Sequence, residues 1–148
     1  MEITDMEQCS GCGACVACCP VNAIKFTEDR HRCRTPEIDP GRCIECGLCA
    51  KTCPINQGGV LLEQETSKKC YALQAKDKGK ISGCSSGGVA TVISGHIIEQ
   101  GGYVFGCRFN EAAELLFTEC STEEELEAIK GSKYVQSDLS RCYPKIRK

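Results

Sequence analysis

The chain has 148 residues, 15 of them cysteine, and a formal charge of -2 from 18 basic and 20 acidic side chains. Cysteine at this density marks sulfur with a chemical task, and the two signs of charge are interspersed, with no basic stripe for nucleic acid or an anionic membrane. The opening MEITDMEQ has neither a basic start nor an apolar run, and no later stretch approaches the roughly 18–20 apolar residues of a membrane span.

The expected location is therefore cytoplasmic. In that reducing compartment closely packed cysteines read as metal ligands rather than as a disulfide framework.

The first feature along the chain is CSGCGACVACCP at 9–20, which recurs as CIECGLCAKTCP at 43–54, an offset of 34 residues. Cys9, Cys12, Cys15 and Cys19 with Pro20 match Cys43, Cys46, Cys49 and Cys53 with Pro54. Cys18 falls opposite Thr52, so the fifth cysteine of the first copy is surplus to the pattern. Each copy is then C-x2-C-x2-C-x3-C-P, the spacing of bacterial-type ferredoxins, in which the fourth cysteine ligates the cluster of the other copy.

Small residues between the first three cysteines let the chain wrap one face of a cluster with its amides turned inward. The proline holds the residue before it extended, which sends the fourth thiolate away. This pattern assigns Cys9, Cys12, Cys15 and Cys53 to one [4Fe-4S] cluster and Cys43, Cys46, Cys49 and Cys19 to a second. Zinc, the rival metal, normally takes two C-x2-C pairs parted by a longer loop. Two bound clusters would bring the formal charge to about -6, which favours a basic docking face on a redox partner protein.

Between the motifs, Pro20 is expected to open a short helix, Ala23 to Phe26 to begin a strand, EDRH to turn, and Glu37-Ile38-Asp39 to return before Pro40-Gly41. Cys33 reads as an ordinary thiol and His31 as solvated. At INQGGVLLEQETSKK the cysteine spacing stops and the composition turns polar, which sets the expected division: a two-cluster module at 1–58, a linker at 59–68 and a second domain at 69–148.

The second half alternates strand-like and helix-like segments. CYALQA, YVFGCRF, AELLFTEC and SKYVQS read as strands. In SSGGVATVISGHIIEQGG, Val89, Val92, Ile93 and Ile97 share a helical face, with Ser85 or Ser86 as cap and Gly101-Gly102 as stop. Ser121 with Glu124 three residues on predicts a capping box for a further helix ending at Gly131. The expected fold class is α+β, a ferredoxin-like module followed by a small, incomplete α/β domain.

Serines and glycines entering a helix at CSSGGVAT offer amide N–H groups and close backbone approach, which suits either a phosphate or flavin or simply a tight turn and helix cap. No paired carboxylates and no Ser/His/Asp constellation stand out as catalytic, and His96 reads as structural.

Residues 70–142, through SSGGVAT at 85–91, GGYVFGCRF at 101–109 and GSKYVQSDL at 131–139, resemble the N-terminal domain of the coenzyme F420 hydrogenase/dehydrogenase beta-subunit family, in which a two-cluster ferredoxin module can come first. The resemblance implies an oxidoreductase using iron–sulfur clusters and FAD, with Ser85, Ser86, Gly87, Gly88, Gly131, Ser132, Lys133 and Tyr134 as candidates to line a flavin, F420 or substrate pocket. The family's Gly-Thr-Pro-Cys segment and large C-terminal domain have no counterpart in these residues. The expectation is thus either a fragment or a short homologue, binding FAD weakly or not at all. The function expected is single-electron relay between a two-electron redox site and a partner protein. The alternatives are a plain two-cluster ferredoxin with a docking domain, and a zinc-stapled interaction module.

Overall fold

Two glycines frame the N-terminal half. Gly13 and Gly47 stand one repeat apart, and both take left-handed backbone, with φ of 81° and 72°, a region that glycine enters without steric cost. Each starts a short helix, α1 at Ala14–Cys18 and α2 at Leu48–Thr52. Each helix ends on an extended cysteine, Cys19 (φ -72°, ψ 113°) and Cys53 (φ -65°, ψ 120°), because the next residue is proline and disfavours helical backbone before it. The sequence repeat is thus a repeat of backbone conformation. Pro20 does not open a helix as expected: it lies in a turn after α1, the helical residues falling on the cysteine side of the proline.

The computed structural model describes residues 2–28, 33–57 and 69–146, in two compact units, one of residues 2–57 with 138–146 and one of residues 69–137. The expected turn at EDRH with His31, and the expected linker 59–68, lie outside the described residues, apart from Glu28 at a strand end.

In the first unit, β1 (Ile24–Glu28) and β2 (Arg34–Ile38) pair antiparallel, with Ile24 opposite Ile38 and Phe26 opposite Pro36. Pro36 fits because a two-stranded ribbon leaves an unpaired edge that needs no N–H from it. Two ion pairs cross the ribbon, Glu28–Arg34 at 3.1 Å and Lys25–Glu37 at 3.8 Å. Ile3, Cys15, Ile24 and Cys49 form the core, with Val16, Cys18, Cys19 and Ile38 packed against it. Asn56 Nδ2 donates to the Ile3 carbonyl at 2.7 Å and the Ala50 carbonyl at 2.9 Å, which ties the N-terminal segment to α2. Residues 138–146 close this unit: Cys142 is 3% exposed, and Tyr143, the first residue of α6 (Tyr143–Ile146), donates its hydroxyl to the Cys12 carbonyl at 3.1 Å.

The second unit is built on an antiparallel hairpin of β3 (Val104–Phe109) and β4 (Leu115–Cys120), with Val104 opposite Cys120 and Phe109 opposite Leu115. Asn110 pins the turn, accepting from the Glu114 amide at 2.8 Å. Helices α3 (Lys78–Ile81), α4 (Val89–Glu99) and α5 (Glu123–Ile129) complete it. Cys120, Leu115 and Leu126 are its buried apolar side chains.

Several local expectations are corrected. The cap of α4 is Gly88, left-handed at φ 73° and without a side-chain bond, rather than Ser85 or Ser86. The capping box of α5 lies one residue later than expected, on Thr122 and Glu125, because the helix starts at Glu123; Ser121 adds its own amide to Glu125 at 2.7 Å. Residues 132–137 form no strand, and 70–75 run irregularly, with only the Ala75 amide bonding to the Gly87 carbonyl at 2.7 Å. The shared apolar face of α4 is largely open to solvent within its unit, with Ile93 the most exposed of the four.

Candidate metal centres

Two cavities lie in the first unit, and each is lined by four cysteines of the repeat. The first, of about 350 Å³ and partly open to solvent, is lined by Cys9, Cys12 and Cys15 from one motif and by Cys53 from the other. The second, of about 310 Å³, is lined by Cys43, Cys46 and Cys49 with Cys19. The crossover follows from the two extended cysteines before proline, each of which leaves its own loop. The remaining walls are mostly apolar: Ile3, Phe26 and Ile55 at the first cavity, and Ile24, Ile38 and Leu48 at the second.

Cys18 lines neither cavity. Its thiol turns back to the Cys15 carbonyl at 3.4 Å. It packs against the core to which Cys15 and Cys49 belong.

Burial pushes the Cys15 thiol up to about 12, with the Val16 amide acting in the opposite direction. Burial likewise raises Cys49, against the Ala50 amide. Both thiols are neutral at physiological pH unless a cation compensates them, so metal uptake here must displace protons. Backbone amides already point at other sulfurs, Ala23 N–H at Cys19 Sγ (3.2 Å) and Glu45 N–H at Cys43 Sγ (3.4 Å).

The donor set fits iron–sulfur chemistry. All eight side chains are soft sulfur ligands, and they ring cavities: among the described residues, no three His, Cys, Asp or Glu side chains converge tightly enough for a single ion. One further atom fits a guest in the first cavity. Thr4, on its wall, is 6% exposed and its hydroxyl is buried without a hydrogen-bond partner.

Residues 8–57 match the 4Fe-4S dicluster domain family. That span takes in both motifs and the ribbon between them. The chain therefore carries a ferredoxin-type iron–sulfur domain at residues 8–57, a domain type that supports electron transfer. A stretch of 28 residues is 61% identical to an uncharacterized protein of Methanocaldococcus jannaschii, covering 19% of this chain. The match spans 8% of that curated relative's length. No helix among the described residues is long and apolar enough to cross a membrane.

The candidate pocket residues of the second half are only partly brought together. Ser85, Ser86, Gly88 and Gly131 line a cavity of about 620 Å³, open to solvent, with Thr91, Ser94 and Lys130. The Ser132 amide donates to Ser85 Oγ at 2.6 Å and so braces this rim. The Gly87 carbonyl is taken by Ala75. Lys133 spends its ammonium on the carbonyls of Ile129, Lys130 and Gly131 at the end of α5, where a cation also complements the helix dipole. Tyr134 is 93% exposed.

Sequence reading missed Thr4, Cys142 and Tyr143, which lie outside both motifs. The one signal for Thr4 is its place at the repeat offset from Ile38.

Proposed function

We infer that the chain is a two-cluster electron carrier, in which Cys9, Cys12, Cys15 and Cys53 hold one [4Fe-4S] cluster and Cys43, Cys46, Cys49 and Cys19 hold the other. The observation that supports this assignment is the composition of the two cavities, each lined by three cysteines of one motif and the fourth of its repeat. A bound cluster supplies one-electron chemistry, spreading the added charge over iron and sulfide. The protein's part is to hold eight thiolates in place, aim amides at sulfur and exclude water with Ile3, Phe26, Ile24 and Ile38. No acid–base group is required of it. Residues 1–58 make the module, 59–68 the linker and 69–148 the second domain, of which 138–146 fold back on the module.

The finer reading is relay from a two-electron carrier of flavin or F420 type, cytoplasmic, and part of an oxidoreductase. It draws support from the hydroxyl-lined cavity at the start of α4, a helix start without a side-chain cap of the kind that suits an anionic cofactor. FAD is expected to bind these residues weakly or not at all, since Lys133 and Gly87 are engaged elsewhere and Tyr134 is exposed to solvent.

An anaerobic cofactor inventory tests both levels. The expected result is about eight iron and eight sulfide per chain, little zinc and substoichiometric flavin. Near-zero sulfide with stoichiometric zinc would replace the carrier by a zinc-stapled module. Full iron with no flavin affinity would leave a plain two-cluster ferredoxin with a docking domain.

A further inference from the structure

The two cysteine sets are copies of one pattern, yet their walls differ at one matched position. At the offset of 34 residues, Thr4 corresponds to Ile38, and each lines the cavity of its own copy. The first site therefore has a hydroxyl where the second has only hydrocarbon.

That hydroxyl is in an expensive place. A buried hydroxyl without a partner forfeits the hydrogen bonds it would make in water, and Thr4 Oγ1 is such an atom. Its backbone neighbourhood is fixed, since the Ile3 carbonyl accepts from Asn56 at 2.7 Å and Ile3 itself is 3% exposed. The side chain is held on the cavity wall and finds no acceptor among the described protein groups. What it lacks is an acceptor inside the cavity, and a cluster's sulfides and cysteine sulfurs would supply one.

We propose that Thr4 Oγ1 donates a hydrogen bond to sulfur of the cluster in the first cavity and thereby raises that cluster's potential relative to the same site without it. The inference rests on the cluster reading given above. Each one-electron reduction adds negative charge to the cluster, and a donor aimed at its sulfur stabilises the reduced form more than the oxidised form. Ile38 can make no such bond, so the second cluster lacks this contribution. Exposure acts in the other direction at the second site, where Cys46 is exposed and Ile44 is 61% exposed. Thr4 thus shifts its own cluster upward, whichever of the two lies higher. Thr4 is a positioning residue: it exchanges no electron itself.

The test is an EPR-monitored titration with dithionite of the full chain and three variants, after iron and sulfide analysis of each. Signals are assigned to the two cavities with Cys12→Ser and Cys46→Ser. Thr4→Val, which keeps shape and removes the hydroxyl, should lower the midpoint of the first cluster and leave the second where it was. Thr4→Ser should restore the wild-type value, and Ile38→Thr should raise the second midpoint alone. Full iron with both midpoints unmoved in Thr4→Val, or a shift in Thr4→Ser as large as in Thr4→Val, would overturn the role of Thr4. If Thr4→Val lost its iron, Ile38→Thr would decide, and an unmoved second midpoint there would count against the proposal. Wild-type protein without sulfide would instead overturn the cluster reading itself, so the two failures are distinguishable.

Discussion

Cys18 and Cys19 adjoin in the chain, yet only Cys19 lines a cavity, and it is the cavity of the other motif. Cys18 bonds back to the Cys15 carbonyl and packs against the core between the two sets. The difference is one of backbone: Cys18 is the last residue of α1, whereas Cys19 is extended before Pro20. Cys19→Ser is therefore expected to remove up to about half of the iron, and the loss should fall on the cluster of Cys43, Cys46 and Cys49. Cys18→Ser should keep all of it, with a packing cost of about 1 kcal/mol or less. Iron content and EPR of the reduced protein, for both single variants and the double, check this. Loss of a cluster in Cys18→Ser with both retained in Cys19→Ser would shift the ligand assignment by one residue. Which cysteines line which cavity was legible in the sequence because proline and left-handed glycine act on their immediate neighbours. Thr4 was not legible in that way, since its unpaired hydroxyl exists only after the fold buries it.

At the scale of elements, local rules found β3, β4, α4 and α5 but misplaced the helix caps, and they took 70–75 and 132–137 for strands. The predicted box on Ser121 and Glu124 falls one residue short of Thr122 and Glu125, since two hydroxyl residues in a row followed by three glutamates admit either register. Three groups converge on Glu125, the amides of Ser121 and Thr122 and the Ser121 hydroxyl, and these bonds, the Ser121 amide foremost, hold its carboxyl below the ordinary value of 4.5. A depressed carboxylate stabilises the fold fully above its unfolded pKa, and the contribution is lost as pH falls through the folded value. Glu125→Gln should thus flatten the acid end of the second unit's stability curve, measured by urea unfolding at a series of pH values. Thr122→Ala should cost about 1 kcal/mol at neutral pH. The packing of α5 on β3 was not visible in the sequence at all. Gly106 permits it: a Cβ there would lie 2.5 Å from Ile129 Cδ1 and 3.0 Å from its Cβ. Gly106→Ala is expected to destabilise this unit by about 1–3 kcal/mol through overpacking, despite the better strand propensity of alanine. An unchanged unfolding midpoint would show that Ile129 moves aside freely.

For the whole molecule, the two units differ in what their cores are made of. The first buries Ile3, Ala23, Ile24 and Cys142 together with Cys15, Cys49 and Cys53, so three of these seven are sulfur proposed to hold metal. The second buries Leu115, Cys120 and Leu126, none of them a proposed ligand. The return of residues 138–146 to the first unit escaped sequence reading, because a docking made by Cys142 and by one bond from Tyr143 to the Cys12 carbonyl has no periodicity and spans 131 positions. It gives the N-terminal unit a contribution from the far end of the chain, but an apolar one too small to replace the clusters. Ligand binding to the native state alone is folding free energy, and only the first unit counts proposed ligands in its core. Anaerobic removal of iron should therefore unfold residues 2–57 and release 138–146, while residues 69–137 keep their hairpin and helices. Limited proteolysis read by mass spectrometry would find cuts concentrated in 2–57 of the apoprotein, with a resistant fragment from the second unit, and circular dichroism would fall only in part. Re-adding iron and sulfide should restore the protection. Identical digestion of the apo and holo forms would mean that Ile3, Ala23, Ile24 and the tail hold the first unit together without metal, and the cysteine sets would then be passengers on the fold instead of its core.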